Sequence, residues 1–264
     1  MRRFAYGLGR LWLVPVVLVI WQFTAPLMES PYFPTPARIA TRMYELWLSG
    51  PPSHLFLTEE VGIDVVPSLI RLLGGWLGAS LIGIILGIAL GRSARLSGYV
   101  DPLLQFGRAI PPPTLLPVFL VLFKIGDGMQ LATIVFGIIW PVLLNTIDGA
   151  RYVDRLHLET ARVFMLTWRQ RLFRIILPEA APKIFAGLRL SLSLALILMV
   201  VSEFIGSTNG IGYHLMNAQG DFDFPGLWAD VVLLGLLGVA LNGSLITVER
   251  HTLGWYHRQR QPTS

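Results

Sequence analysis

The sequence predicts an all-α polytopic membrane protein with about six transmembrane helices and one long cytoplasmic loop. Three observations predict it. Only 14% of the 264 residues are charged and 53% are hydrophobic, whereas an average soluble domain carries roughly 25% charge. With a mean hydropathy of +0.60, charge is too scarce to cover a water-soluble globule. That argues against a soluble enzyme and excludes intrinsic disorder. Second, apolar stretches of near-spanning length recur along the chain, and third, the basic residues crowd into alternate connecting segments. A net charge of +5 does not by itself indicate nucleic acid, because only Lys124 and Lys183 among the 21 basic residues are lysines. Basic residues between apolar spans act instead as orientation signals. The absence of cysteine rules out disulfides, thiolate metal sites and cysteine nucleophiles.

A bilayer core of about 30 Å needs roughly 20 apolar residues in helical form. The first stretch, 11–27, follows Arg2, Arg3 and Arg10 and contains Gln22. Its basic flank and short apolar run also fit a cleaved signal peptide, but Pro26 and the bulky residues after Ala25 make a poor cleavage site, so a retained helix is expected. The remaining spans are expected near 69–91, 103–123, 130–147, 186–206 and 228–248. In the first of these, Gly74/Gly78 and Gly83/Gly87/Gly91 repeat at four-residue spacing, which lines small residues along one face and permits close helix packing. Pro111, Pro112, Pro113 and Pro117 interrupt the next span, since each removes a donor and clashes with the preceding turn. A membrane tolerates such a break where neighbours or a water-lined cavity satisfy the freed carbonyls. A translocation pathway and a re-entrant helix start both fit. Pro141 predicts a kink in the span after it. The resulting organisation is an N-terminal membrane helix over 1–30, an external segment over 31–68, a transmembrane core over 69–248 that includes the loop 148–185, and a cytoplasmic tail over 249–264.

Six spans put both termini on one side. Assigning the N-terminus, 92–102, 148–185 and the tail to the cytoplasm collects Arg2, Arg3, Arg10, Arg92, Arg95, Arg108, Arg151, Arg155, Arg162, Arg169, Arg171, Arg174, Lys183, Arg189, Arg250, Arg258 and Arg260 there. Only Arg38, Arg42, Arg71 and Lys124 stand opposite. This split of 17 to 4 follows the positive-inside rule and fixes the expected orientation.

The loop 148–185 is not a passive linker. Asp154 is placed to cap a helix from about Arg155 to Leu166, and Leu156, Ala161, Val163, Phe164 and Met165 give it more apolar surface than it can bury alone. Thr167-Trp168-Arg169-Gln170 has the pattern of a capping box that starts a second helix. Pro178 is expected to end that helix, because the residue before proline avoids helical dihedrals. Two short helices studded with Arg162, Arg169, Arg171 and Arg174 would form an elbow, or would lie on anionic lipid headgroups.

Glu159-Thr160-Ala161, followed at the right spacing by Ile175, Leu177 and Pro178, resembles the EAA loop of ATP-binding-cassette importer permeases. Thr160 replaces an alanine of that pattern. Met165 stands where the family has glycine, so the bend is expected to use ordinary dihedrals or to move to Leu166-Thr167, since a positive φ is costly for methionine. Asp101-Pro102 with Leu103 to Pro117, Phe123-Lys124-Ile125-Gly126, Asn145-Thr146 with Gly149, Gly187-Leu188-Arg189 and Gly210-Ile211-Gly212-Tyr213 are similar, in order, to segments of the nitrate, sulfonate and taurine type of permease. The resemblance covers about residues 33–255.

It implies a permease subunit of the plasma membrane, the bacterial inner membrane, with a cytoplasmic coupling-helix loop and no catalytic site. In that family two permease copies, here a homodimer, pair with two ATP-binding subunits, and an extracytoplasmic substrate-binding protein delivers a small solute that is moved inward by alternating access. The solute would be a sulfonate, taurine, nitrate or a vitamin precursor. The chain has no Gly-x-x-x-x-Gly-Lys-Ser/Thr, so no P-loop can form, and ATP and Mg would be bound by the partner; no cofactor or metal is expected on this chain. By the same resemblance Glu159, Thr160, Ala161, Phe164 and Met165 contact the ATPase, with Arg162 and Arg169 at the rim and Ala161 exposed at the centre, where its small side chain permits close docking or simply serves helix packing.

Arg71, Asn145, Glu203 and Asn242 are expensive in hydrocarbon and are expected to face the bundle interior. They could line the pathway, with Arg71 favouring an anion; equally, Arg71 could snorkel to the interface and Glu203 could pair structurally. A gradient-driven transporter would need paired carboxylates at mid-membrane and an inverted repeat, and neither is evident. An intramembrane protease or metalloenzyme fails because His54, His157, His214, His251 and His257 fall in loops, tails or interface positions without ligand spacing.

Overall fold

The computed structural model describes residues 12–254. Arg2, Arg3, Arg10, Arg258 and Arg260 lie outside them, as do the ends of the N-terminal helix segment and of the C-terminal tail. The described residues contain helices and no strand. In chain order the helices are α1 (Leu13–Thr24), α2 (Pro36–Met43), α3 (Val66–Gly91), α4 (Ala94–Ala109), α5 (Leu116–Phe123), α6 (Asp127–Arg151), α7 (Arg155–Val163), α8 (Trp168–Arg171), α9 (Leu177–Phe204), α10 (Ile211–Gly220) and α11 (Phe224–Thr252).

Four continuous helical stretches are long and apolar enough to span a bilayer: Val61–Gly91, Asp127–Arg151, Trp168–Phe204 and Phe224–Thr252. Two of the expected six spans take a different form. The stretch 103–123 is not one helix. Ser93 accepts the Leu96 N–H and starts α4 nine residues earlier, inside the expected loop 92–102. Ile110, forced off helical dihedrals by the following proline, has ψ 118°, and the helices on either side of the triple proline meet at an 85° bend. The N-terminal stretch forms a shorter apolar helix, Leu13–Met28, whose last turn over Ala25–Met28 is 3-10 and stops at a left-handed Glu29.

Pro178 does not end a helix. The chain runs from Trp168 to Phe204 without a break, because the turn Leu172–Ile176 widens to π geometry. That extra residue per turn removes the ring-to-carbonyl clash that a proline imposes on a tight helix, and Leu177 keeps φ −61° and ψ −49°.

The chain divides into two compact units, one of residues 1–67 with 209–235, the other of 68–208 with 236–264. The core of the first gathers Ile39, Leu46, Trp47 and Ala229, with Trp21, Met43 and Trp228 packed on it. Trp21 meets Trp228 edge-on at 5.1 Å. Arg42 donates to Asp223 at 2.7 Å, and the attraction raises the pKa of its guanidinium further. His214 Nδ1 lies 2.7 Å from the buried Asp230 carboxylate, which raises the histidine above its ordinary value despite the opposing effect of burial.

In the second unit α3 packs along α6 on small residues. A side chain at Gly75, Gly83, Gly87 or Gly91 would strike Ile134, Val142, Thr146 or the Ile147 carbonyl respectively. Close packing therefore uses Gly83, Gly87 and Gly91 as their spacing predicts. Gly78 faces open space, and Gly75 rather than Gly74 makes the tight contact near it.

Candidate functional site

Two features of the second unit concentrate chemistry: the elbow between α6 and α9, and a buried polar cluster on α3, α6 and α9. The elbow begins where Asp154 accepts the Leu156 N–H at 2.8 Å, as its position predicts. Helix α7 then ends three residues before the expected boundary, in a complete Schellman turn. Leu166 N–H reaches the Ala161 carbonyl and Met165 N–H the Arg162 carbonyl, both at 2.9 Å. This turn needs a left-handed residue, usually glycine, and Met165 supplies it with φ 49°. The expectation that the bend would use ordinary dihedrals or move to Leu166-Thr167 is overturned. Two backbone hydrogen bonds offset the steric cost, and the unbranched side chain points into open space, 89% exposed. Thr167 and Gln170 then form the full reciprocal capping box, so the two short helices are separated by a turn that is defined at both ends.

Of the residues expected to meet an ATPase, Glu159, Thr160, Arg162, Phe164, Met165 and Arg169 are exposed. Ala161 is not: its exposure is 1%. It lies on the face of α7 that shares a groove with Ile175, Pro178 and Glu179 at the start of α9. Ala161 is therefore shielded on the inner side of the elbow, and the outward surface is made by Leu156, Val163, Phe164, Met165 and Trp168, all exposed. An open groove of about 820 Å³ runs between the two arms, lined by Ala161, Phe164, Leu166, Arg174, Ile175 and Pro178 among others.

One pairing in the elbow, between His157 and Glu179, is not foreseen by the sequence. Glu179 Oε1 lies 2.5 Å from His157 Nδ1, and its other oxygen accepts the Asp154 N–H at 3.0 Å. The carboxylate thus binds the first turn of α7 to the first turn of α9. Nothing in the spacing of residues 157 and 179 signals this; only the fold of the elbow brings them together.

In the polar cluster, Arg71 does not snorkel. It is 6% exposed, donating through Nη1 to Glu203 at 2.9 Å and through Nε to Asp127 at 2.6 Å. Ser68 donates to both oxygens of Glu203, at 2.7 and 2.9 Å, and Ser207 lies 3.5 Å from Arg71. Burying a charge is tolerable only when it is paired and hydrogen-bonded, and both charges here are. Two carboxylates surround the one guanidinium, so Arg71 offers a passing anion little net attraction. Asn145 is spent locally, its amide donating to the Pro141 carbonyl at 2.8 Å; α6 stays continuous through that proline. The side-chain oxygen of Asn242 is buried without a protein partner. The structure thus brings Arg71 and Glu203 together and leaves Asn145 and Asn242 apart from them. Among the described residues no group of three or more His, Asp or Glu side chains could hold a metal.

Residues 79–251 match the family described as binding-protein-dependent transport system inner membrane component. SsuC of Bacillus subtilis (strain 168), which carries the name of an aliphatic sulfonates transport permease protein, is 34% identical over 95% of this chain and 88% of its own length. The nitrate import permease protein NrtB of Synechocystis sp. is 29% identical over 89% of this chain and 86% of its own. A chain of the MetNI methionine ABC transporter in an inward-facing conformation superposes with a TM-score of 0.59 at 18% identity, over 71% of this chain and 95% of that one.

Proposed function

The chain belongs to the family of binding-protein-dependent transport inner membrane components, and on that premise we propose that it carries a small anion, a sulfonate or nitrate, inward by alternating access. The elbow supports this reading most directly. A Schellman turn and a capping box fix its bend, Glu179 ties it to a spanning helix, and its outer face is apolar and uncovered among the described residues. An exposed face of that kind on a fixed lever suits docking against another protein.

In this reading the arms face the cytoplasm, as the 17-to-4 distribution of basic residues favours. Phe164, Met165 and Val163 seat on an ATP-binding subunit, Arg162 and Arg169 contact its rim, and Glu159 and Thr160 frame the contact. Closure of two such subunits pushes two elbows, and the helices they continue into rock between inward and outward access. Two copies of this chain form the channel, a solute-binding protein feeds it from outside, and ATP and Mg are handled by the partner. The class of solute rests on the names of the relatives, since Arg71 is neutralised by its own carboxylates.

The test is ATP-dependent uptake of labelled alkanesulfonate and nitrate into proteoliposomes holding this chain, its ATPase and its binding protein. Uptake that needs all three components is the expected result. Flux through the purified chain alone would overturn the proposal.

A further inference from the structure

Gln130 is wholly buried in α6, and neither its side-chain nitrogen nor its oxygen has a protein partner. Its position explains why that matters. It lies one turn after Asp127, on the same face of α6, and Asp127 touches Arg71. Along the α3–α6 seam, residues meet at a constant offset of 59: Gly75 with Ile134, Gly83 with Val142, Gly87 with Thr146. That register sets Arg71 level with Gln130. Along the antiparallel α6–α9 seam, Gly187 faces Asn145, Gly137 faces Leu198 and Gly206 faces Met129, which sets Glu203 within one turn of Gln130. A carboxamide both donates and accepts, so it can accept from the Arg71 guanidinium and donate to the Glu203 carboxylate. In this structure both charges are engaged elsewhere, with Asp127, Ser68 and each other.

We propose that Gln130 is a positioning residue for transport: a second hydrogen-bonding station that the Arg71–Glu203 pair takes up when α3 and α9 shift against α6. The cluster is then a latch with two settings. One is the arrangement described here, in which Asp127 holds Arg71 and the amide is unpaired. In the other, Gln130 replaces Asp127 as the partner of Arg71 and its buried amide is satisfied. Asp127 is suited to letting go, since its side chain is 70% exposed while that of Arg71 is 7% exposed, and water can replace the bond on the aspartate side. This inference rests on the alternating-access reading above.

The experiment uses the full transporter with its ATPase and binding protein, in nanodiscs and proteoliposomes. The chain lacks cysteine, so spin labels at Ile70→Cys on α3 and Ile197→Cys on α9, both exposed positions, give a distance distribution over the two copies, from which the α3–α9 distance within a copy is read. The parent is expected to change that distance between the resting and ATP–vanadate states. Gln130→Met, close in size but unable to hydrogen-bond, is expected to keep the resting distance in both and to lose about tenfold in uptake per assembled complex, within the usual range of coupling effects. Gln130→Glu, which offers Arg71 a competing charge, is expected to assemble and also to slow uptake. If Gln130→Met switches distance and transports like the parent, or if it fails to assemble while Gln130→Glu transports normally, the latch is refuted. A parent whose distance never responds to ATP would refute the alternating-access reading itself.

Discussion

His157 and Glu179 meet at 2.5 Å across the mouth of the elbow, and the same carboxylate takes the Asp154 N–H. One side chain therefore ties the short helix to the spanning helix that follows it. Exposed pairs of this kind add less than about 1 kcal/mol to stability, so the value of this one lies in stiffness. Glu179→Ala is expected to leave the amount of assembled protein unchanged and to lower uptake per ATP hydrolysed by roughly 5-fold, the low end of coupling effects between sites. Parallel measurement of uptake and hydrolysis in proteoliposomes checks this; an unchanged ratio would count against it.

Met165 holds a left-handed conformation, φ 49°, that costs an L-residue about 1–2 kcal/mol and glycine almost nothing. Met165→Gly is expected to make the Schellman turn harder to open. The Leu166 amide, bonded to the Ala161 carbonyl, should exchange its hydrogen more slowly by about fivefold or more, the equivalent of that strain. Met165→Val, branched at Cβ, should do the reverse. Hydrogen exchange read by mass spectrometry over the elbow peptides distinguishes the two.

Arg71 and Glu203 are both buried, at 6% and 1% exposure. Removing Arg71 strands the buried Glu203 carboxylate, a loss of about 3–5 kcal/mol for buried pairs, and removing Glu203 leaves the buried guanidinium only the exposed Asp127. Arg71→Met and Glu203→Met are each expected to lower the thermal midpoint of the detergent-solubilised protein sharply. The double variant should fall less than the worse single one, since the only charge left unpaired is the exposed Asp127. Additive losses would show that the two side chains act independently.

His214 donates toward the buried Asp230 carboxylate, so its folded pKa lies above the unfolded value near 6.5. A raised pKa stabilises the fold fully below the unfolded value, and that contribution disappears as pH climbs through the folded value. Thermal midpoints should therefore decline from pH 6 upward, until His214 has lost its proton. His214→Gln should flatten that part of the profile. A slope that persists in the variant would assign it to another group.

The sequence by itself determined the class of fold, because scarce charge and six apolar stretches leave a chain of this length no soluble arrangement. Local signals with one-turn reach were also legible: the Asp154 cap, the Thr167–Gln170 box and the break at Pro111–Pro113 all form where their residues stand, since each depends on neighbours within four positions. Tertiary structure decided the rest. Pro178 sits inside a continuous helix because the turn before it widened; Met165 took a glycine's dihedral because two backbone bonds close around it. Ala161 is buried on the inner side of the elbow, in the groove between its two arms. Arg71, Asp127 and Glu203 came together from three helices. A single side chain carries no record of its distant partners, so pairings across tens of residues exist only once the helices have packed.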